Sequence, residues 1–287
     1  MAAKLPESDF SRLIINEPEQ FVLFVAIDIE AWEQDQGIIT EIGIAMLDTT
    51  EIKDIAPGEG CQNWFPLIEA RHIRVKENSW ATNSRFVRGC ADRFSFGTTE
   101  FAQESDIAQL LKRVIDDATF VDPIDGTKKP RPVVLVFHES SSDIKYLKSV
   151  SYYVEAARNV IEVIDTRAMH QHLVRSNDSA SLANVLGHLG IPCQYLHNAD
   201  NDAVYTLQAM VGFGGQEARG QSSEAEGQGR GVGYAWPGTN LGPCQQDLLI
   251  SYLIADTFRM PTSSRKRVGP AARTPMAAMR SACPMPS

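Results

Sequence analysis

Phe21-Val-Leu-Phe-Val-Ala-Ile-Asp28-Ile-Glu30 is the stretch on which the fold turns. Its first seven residues form an unbroken apolar run rich in β-branched and aromatic side chains, the pattern of a strand buried on both faces. Asp28 and Glu30 follow two residues apart, so in extended chain they point to the same face. An acidic pair at the mouth of an apolar strand is costly unless water or a metal compensates it. A strand end that frays into solvent is the plain alternative.

Working outward, Ile38–Leu47 reads as a second strand with Gly43 inside it. Asp48-Thr-Thr closes it as a turn, so the pair forms a hairpin. Asn63-Trp-Phe-Pro-Leu is a third strand candidate, with Pro66 favouring its end. Residues 69–101 are charged and aromatic and show no sustained period. Ser105-Asp106 caps a helix through Ile107, Leu110, Leu111, Val114 and Ile115, which recur at helical spacing. After a polar Gly/Pro loop at 123–132, Val133–Phe137 is another buried strand, and a helix follows over Ser140–Val150. Val160–Ile164 is the next apolar run. Helices are expected at Arg167–Val174, Ser181–Leu189 (capped by Ser179 or Ser181, closed at Gly190) and Ala199–Val211. A hairpin followed by alternating strands and helices is an α/β arrangement with helices on both faces of a sheet.

Composition shifts at Gly212-Phe-Gly-Gly, after which Gly, Gln, Ser and Glu dominate and supply little to pack. The expected organisation is an N-terminal extension over 1–19, one domain over 20–213 and a largely disordered tail over 214–287. A short helical patch lies within that tail at 246–258. The chain of 287 residues has a net charge of −9; residues 214–287 carry 8 basic and 5 acidic residues, which leaves −12 on the first 213. Such a balance argues against generic polyanion binding and suits a carboxylate site that meets phosphate through divalent cations. Cys61, Cys90, Cys193, Cys244 and Cys283 are scattered with no C-x-x-C pair, as expected of reduced thiols in an intracellular protein. The N-terminus has no apolar signal core and no stretch is long enough to span a bilayer, so neither export nor a membrane partner is expected.

Three blocks carry chemistry. Asp28 and Glu30 form the first. Asp143 stands at the start of the helix after Val133–Phe137, where a helix dipole alone would also favour it. Asp202, in the first turn of the last helix, follows His197 by five residues across a polar turn. A loop histidine and a helix-borne aspartate so placed can face one another across a metal site.

The three blocks resemble the motifs of the DEDDh exonucleases, a branch of the ribonuclease H-like superfamily: Asp28-x-Glu30, His138-x-x-x-x-Asp143 and His197-x-x-x-x-Asp202. Glu41-Ile-Gly-Ile-Ala, Asp143-Ile-Lys-Tyr-Leu and His197-Asn-Ala-Asp-Asn-Asp-Ala-Val-Tyr-Thr are similar to a fungal subfamily named for assisting a DEAD-box helicase in messenger RNA export. The resemblance covers residues 20–213. It implies a mixed five-stranded sheet with its first three strands antiparallel, and metal-dependent 3′-to-5′ hydrolysis of single-stranded RNA or DNA ends. Asp28, Glu30, Asp143 and Asp202 would hold two Mg²⁺ or Mn²⁺ ions about 3.5–4 Å apart, with His197 as the base. Backbone at Ile29 and Ala31 would pack on the terminal nucleotide, and Trp32 would stack on a base or join the core. For His138 a structural hydrogen bond is favoured over ligation. Glu139 stands where many relatives have asparagine and would repel the substrate backbone. Lys145 and Lys148 read as a solvated helix face, and Arg265-Lys-Arg-Val as a short basic run in the tail. The resemblance implies nuclear or cytoplasmic residence, and a helicase or export factors as partners. The competing readings are a non-catalytic adaptor in messenger RNA export and an oligoribonuclease-like enzyme acting on short substrates.

Overall fold

The computed structural model describes residues 21–226, with side chains through Gly214. The N-terminal extension 1–19, the apolar patch at 246–258 and the basic run at 265–268 lie outside the described residues. Strand β1 (Leu23–Trp32) pairs antiparallel with β2 (Asp35–Asp48), which pairs antiparallel with β3 (Glu69–Val75). On the other side of β1 run β7 (Val133–Phe137) and β8 (Val160–Asp165), both parallel to it. A three-residue strand, β4 (Glu100–Ala102), lies parallel to β3 and makes the sheet six-stranded in the order β4-β3-β2-β1-β7-β8. The expected antiparallel trio and mixed five-stranded core are thus present, with one short edge strand added. A small hairpin, β5 (Thr119–Val121) with β6 (Lys128–Pro130), stands apart within the loop region before β7.

The period of two along β1 sorts its side chains to opposite faces. Leu23, Val25, Ile27, Ile29 and Ala31 enter one core, under α2 (Ile107–Val114) and Leu147 of α3 (Ser140–Ser149). Val22, Phe24 and Ala26 enter the other, against Trp64 and the first turns of α6 (Ala199–Glu226). Two further helices, α4 (Thr166–Val174) and α5 (Leu182–Leu189), pack beside α6. Full burial of a side chain such as Phe24 or Ile27 stabilises by ~1.5–3 kcal/mol, so β1 anchors both layers. Ser181 caps α5, accepting from the Asn184 amide, and Gly190 closes it at φ 70°.

Two expectations are corrected. The segment Asn63–Leu67 is not a strand; Glu59–Leu67 folds as irregular 3₁₀ turns, after α1 (Thr49–Ile52). Trp64 is fully buried and its indole N–H donates to the Ile55 carbonyl at 2.7 Å, so the apolar residues plug the α6-side core. The third strand is Glu69–Val75, inside the stretch that showed no period. The last helix also continues past Val211 to Glu226. Glycine costs a helix about 1 kcal/mol per residue, but Phe213 is buried against α5 residues and offsets that cost at Gly212 and Gly214.

Candidate active site

Asp28 and Glu30 continue the even-numbered face of β1, the face on which α6 lies. Directly after Glu30 the β1–β2 register shifts at Ala31. A bulge at this point bends the strand end and re-aims its side chains. β1 ends next to the C-terminal end of β7, from which Asp143 arrives on the first turn of α3. The Asp143 carboxylate accepts a hydrogen bond from the Ile29 amide at 3.1 Å, tying the second acidic block to the first.

The third block arrives on α6. Asn198 caps the helix, its side-chain oxygen accepting from the Asn201 amide at 3.1 Å. Asp202 bends back so that one carboxylate oxygen accepts from the His197 amide at 3.0 Å; its other oxygen, Oδ1, is buried with no hydrogen-bond partner. His197 takes a left-handed backbone, φ 64°, which swings its exposed ring toward the strand. Its Nδ1 stands 4.0 Å from a Glu30 oxygen, and ligand atoms of Glu30, His197 and Asp202 lie within 4.8 Å of one another. Five residues from three distant parts of the chain therefore meet at one mouth.

Electrostatics mark this cluster as unfinished. Burial, joined by the charges of Asp143, Asp202, Glu30 and Glu41, raises Asp28 well above the ordinary carboxylate range. Burial and neighbouring acids lift Glu30 to about 8. Burial carries Asp143 to about 8 against the pull of the Ile29 amide, and Asp202 to about 7 against that of the His197 amide. Like-charged buried groups of this kind either hold protons or bind cations. The donor set, carboxylate oxygens with one orphaned buried oxygen, fits hard divalent cations. Partial burial lowers the His197 pKa and so favours the neutral ring, the form that can accept a proton.

The remaining sequence candidates divide. Ile29 and Ala31 send their side chains into the core, and their backbone is engaged: the Ile29 amide by Asp143, the Ala31 carbonyl by Asn83 at 2.8 Å. Trp32 is half-buried, edge-on to Trp80 at 5.0 Å. His138 bonds the Ala180 carbonyl through Nε2 (3.1 Å) and Thr166 through Nδ1 (3.0 Å). A carbonyl only accepts, so Nε2 carries the proton and the ring is a structural bridge. Glu139 pairs with Arg167 at 2.6 Å and so spends its charge within the protein. Lys148 pairs with Glu155 at 2.7 Å, and Lys145 is exposed.

Sequence reasoning missed a second buried polar group behind the acids. Glu41, directly opposite Glu30, is held at 2.9 Å by Nε2 of His72, whose Nδ1 meets Thr99 at 2.8 Å. Asp200 receives the amides of Ile44 and Arg71 at 3.2 and 3.1 Å, bolting α6 to β2 and β3. A Cβ at Gly43 would fall 2.1 Å from the Ala199 carbonyl oxygen, so only glycine lets the helix come this close. The available signals were a glutamate inside an apolar strand and three polar residues opening a buried helix.

The family model described as DNA polymerase III subunit epsilon-like, C-terminal domain (DEDDh_C) matches residues 23–213. The chain is similar to the uncharacterized protein YDR514C of Saccharomyces cerevisiae, 28% identical over 212 residues, which cover 68% of this chain and 42% of that protein. It is 30% identical over 191 residues to the uncharacterized nucleolar protein C2C4.08 of Schizosaccharomyces pombe, covering 65% of this chain and 67% of that protein. It is 25% identical over 211 residues to Good for full DBP5 activity protein 2 of Saccharomyces cerevisiae, covering 68% of this chain and 36% of that protein. The chain thus spans less than half the length of the two Saccharomyces relatives.

Proposed function

The chain belongs to the DEDDh family, and on that premise we propose that it is a metal-dependent 3′-to-5′ exonuclease acting on single-stranded RNA or DNA. The observation that carries this reading is the meeting of Asp28, Glu30, Asp143 and Asp202 beside His197. Bound by these four carboxylates, two Mg²⁺ or Mn²⁺ ions would supply the Lewis acidity that activates the attacking water and neutralises charge at the phosphoryl group. His197, whose neutral form is favoured by partial burial, accepts the proton of that water. The water oxygen attacks phosphorus, the bond to the 3′ oxygen of the preceding nucleotide breaks, and a nucleoside 5′-monophosphate leaves. Asp143 is oriented by the Ile29 amide and Asp202 by the His197 amide, which leaves Oδ1 of Asp202 unpartnered. Incubation with Mn²⁺ and matched 5′-labelled RNA and DNA strands tests the assignment. Progressive shortening that Asp28→Ala abolishes is expected; no shortening, or equal shortening by the variant, removes it. Comparing two-residue and twenty-residue strands separates a general exonuclease from an oligoribonuclease.

A second reading takes its support from the relative whose name ties it to full DBP5 activity. In it the fold serves as an adaptor for a helicase in messenger RNA export, in the nucleus or cytoplasm, and turnover is secondary. Co-purification with a helicase that persists in Asp202→Asn is expected of an adaptor, and its loss in that variant counts against one. The nucleolar description of another relative accords with a nuclear location.

A further inference from the structure

Residues 79–99, which the exonuclease reading leaves without a role, form a basic and aromatic loop laid across the mouth of the acid site. In a chain of net charge −9 this loop holds Arg85, Arg88 and Arg93 against a single acid, Asp92. It is stapled at both ends to the catalytic framework. At one end Asn83 bonds both the Glu33 amide and the Ala31 carbonyl at 2.8 Å, and the Glu33 carboxylate collects the amides of Ser84, Arg85 and Phe86. At the other the Cys90 amide donates to the His197 carbonyl at 3.0 Å, Asn198 donates to the Cys90 carbonyl at 3.1 Å, and Asn201 bonds the Arg93 carbonyl and the Ser95 amide. The loop is therefore positioned by the same residues that position His197 and Asp202.

Between this loop and the residues before His197 lies a cleft of about 500 Å³ whose walls include Arg88, Arg93, Asp92 and Tyr195. The Arg93 guanidinium sits over the Tyr195 ring, 5.7 Å from its centre, with Asp92 3.8 Å from the same guanidinium. Arg88 and Arg93 are exposed, and Tyr195 is 42% exposed on a left-handed backbone that pushes its ring outward. Guanidinium groups grip phosphates and an exposed aromatic face stacks on bases of any sequence. We propose that this cleft is the binding track for the strand upstream of the reacting 3′ nucleotide, Arg88 and Arg93 holding its phosphates and Tyr195 stacking on a base. The inference rests on the exonuclease reading for its direction along the strand. It also gives so acidic a domain a point of attraction for a polyanion: two arginines line the cleft.

The test uses the full chain and a 5′-fluorescein twenty-nucleotide strand, with binding followed by anisotropy in Ca²⁺ between about 50 and 200 mM salt. The Arg88→Ala/Arg93→Ala pair is expected to weaken binding about tenfold and to flatten the log–log salt slope by about 1.4, the value for two phosphates on a single strand. Arg88→Lys/Arg93→Lys should keep most of that slope. Tyr195→Leu should weaken binding and leave the slope unchanged. In Mn²⁺ the alanine pair should raise KM for the twenty-nucleotide strand several-fold more than for a dinucleotide. Wild-type affinity and slope in the alanine pair overturn the cleft assignment whatever the turnover. A wild-type protein that binds through the cleft but never cleaves overturns the exonuclease reading alone.

Discussion

Asp200 and Asp202 stand two residues apart on α6, and both are buried, yet the regions they enter differ. Asp200 reaches under the helix to two backbone amides, in a junction sealed by Gly43. Asp202 enters a pit already holding Asp28, Glu30 and Asp143; Asp200 and Asp202 each have one buried oxygen without a donor. Burial lifts both pKa values to about 7, so neither burial nor the shift separates the two carboxylates. Company does. Asp200 takes two backbone amides on one oxygen and leaves the other unpartnered, as Asp202 does, but only Asp202 stands among other acids and a histidine.

That contrast is open to attack by substitution. Asp28→Asn or Asp202→Asn should cut strand shortening by a factor of at least about a thousand while raising the melting temperature of the metal-free protein, because a like charge is removed. Turnover assays and thermal unfolding in a chelator check both halves. Asp200→Ala should do the reverse, costing about 2–4 kcal/mol of stability by orphaning two buried amides, as urea unfolding would register. Gly43→Ala should cost about 1–3 kcal/mol through overpacking against α6, and lower activity only as far as the helix is displaced.

A pH series sharpens the comparison further. The acids of the pit bind protons more tightly folded than unfolded, so between their unfolded values near 4 and folded values of about 7 to 8 the native state carries the excess protons. Stability of the metal-free protein is then greatest below the unfolded value and is lost as pH rises through the folded ones. The melting temperature should fall from pH 5 to pH 8, and Mg²⁺ or Mn²⁺ should restore it more at the upper end. A flat profile would mean that the acids are not crowded. Smallest of all, Lys148→Ala removes an exposed ion pair with Glu155 and should alter stability by no more than about 0.5 kcal/mol.

The parts of the fold visible in the sequence are those where one physical signal dominates. β1 as far as Ile27 and the whole of β7 are apolar because both faces are covered, and α2 has a clean helical stripe. β3 was illegible because Glu69-Ala-Arg-His-Ile-Arg-Val alternates weakly: Arg71 bonds Glu100 and His72 is spent on Glu41, so polar residues occupy strand positions for tertiary reasons. The 3₁₀ segment looked extended because its apolar residues fill a hole under the sheet, a demand that local pattern does not encode. Of the candidate site, the five acid and imidazole residues were singled out by spacing and motif resemblance. Glu41, His72, Asn198, Asp200 and Asn201 were not, since their partners lie between 31 and 156 residues away in the chain or exist only once α6 is docked.

The pairing of Asp28 with Gly43 across the hairpin has a last consequence. Gly43 is the notch that seats α6, and Asp28 is the hub of the acids, so one alignment indexes both the scaffold and the chemistry. A slip of one residue would turn Asp28 and Glu30 to the opposite side and close the notch in the same stroke. A newly made or half-melted chain thus carries all of these acids without the crowding that sets them apart, and the cluster comes into being only when assembly is complete.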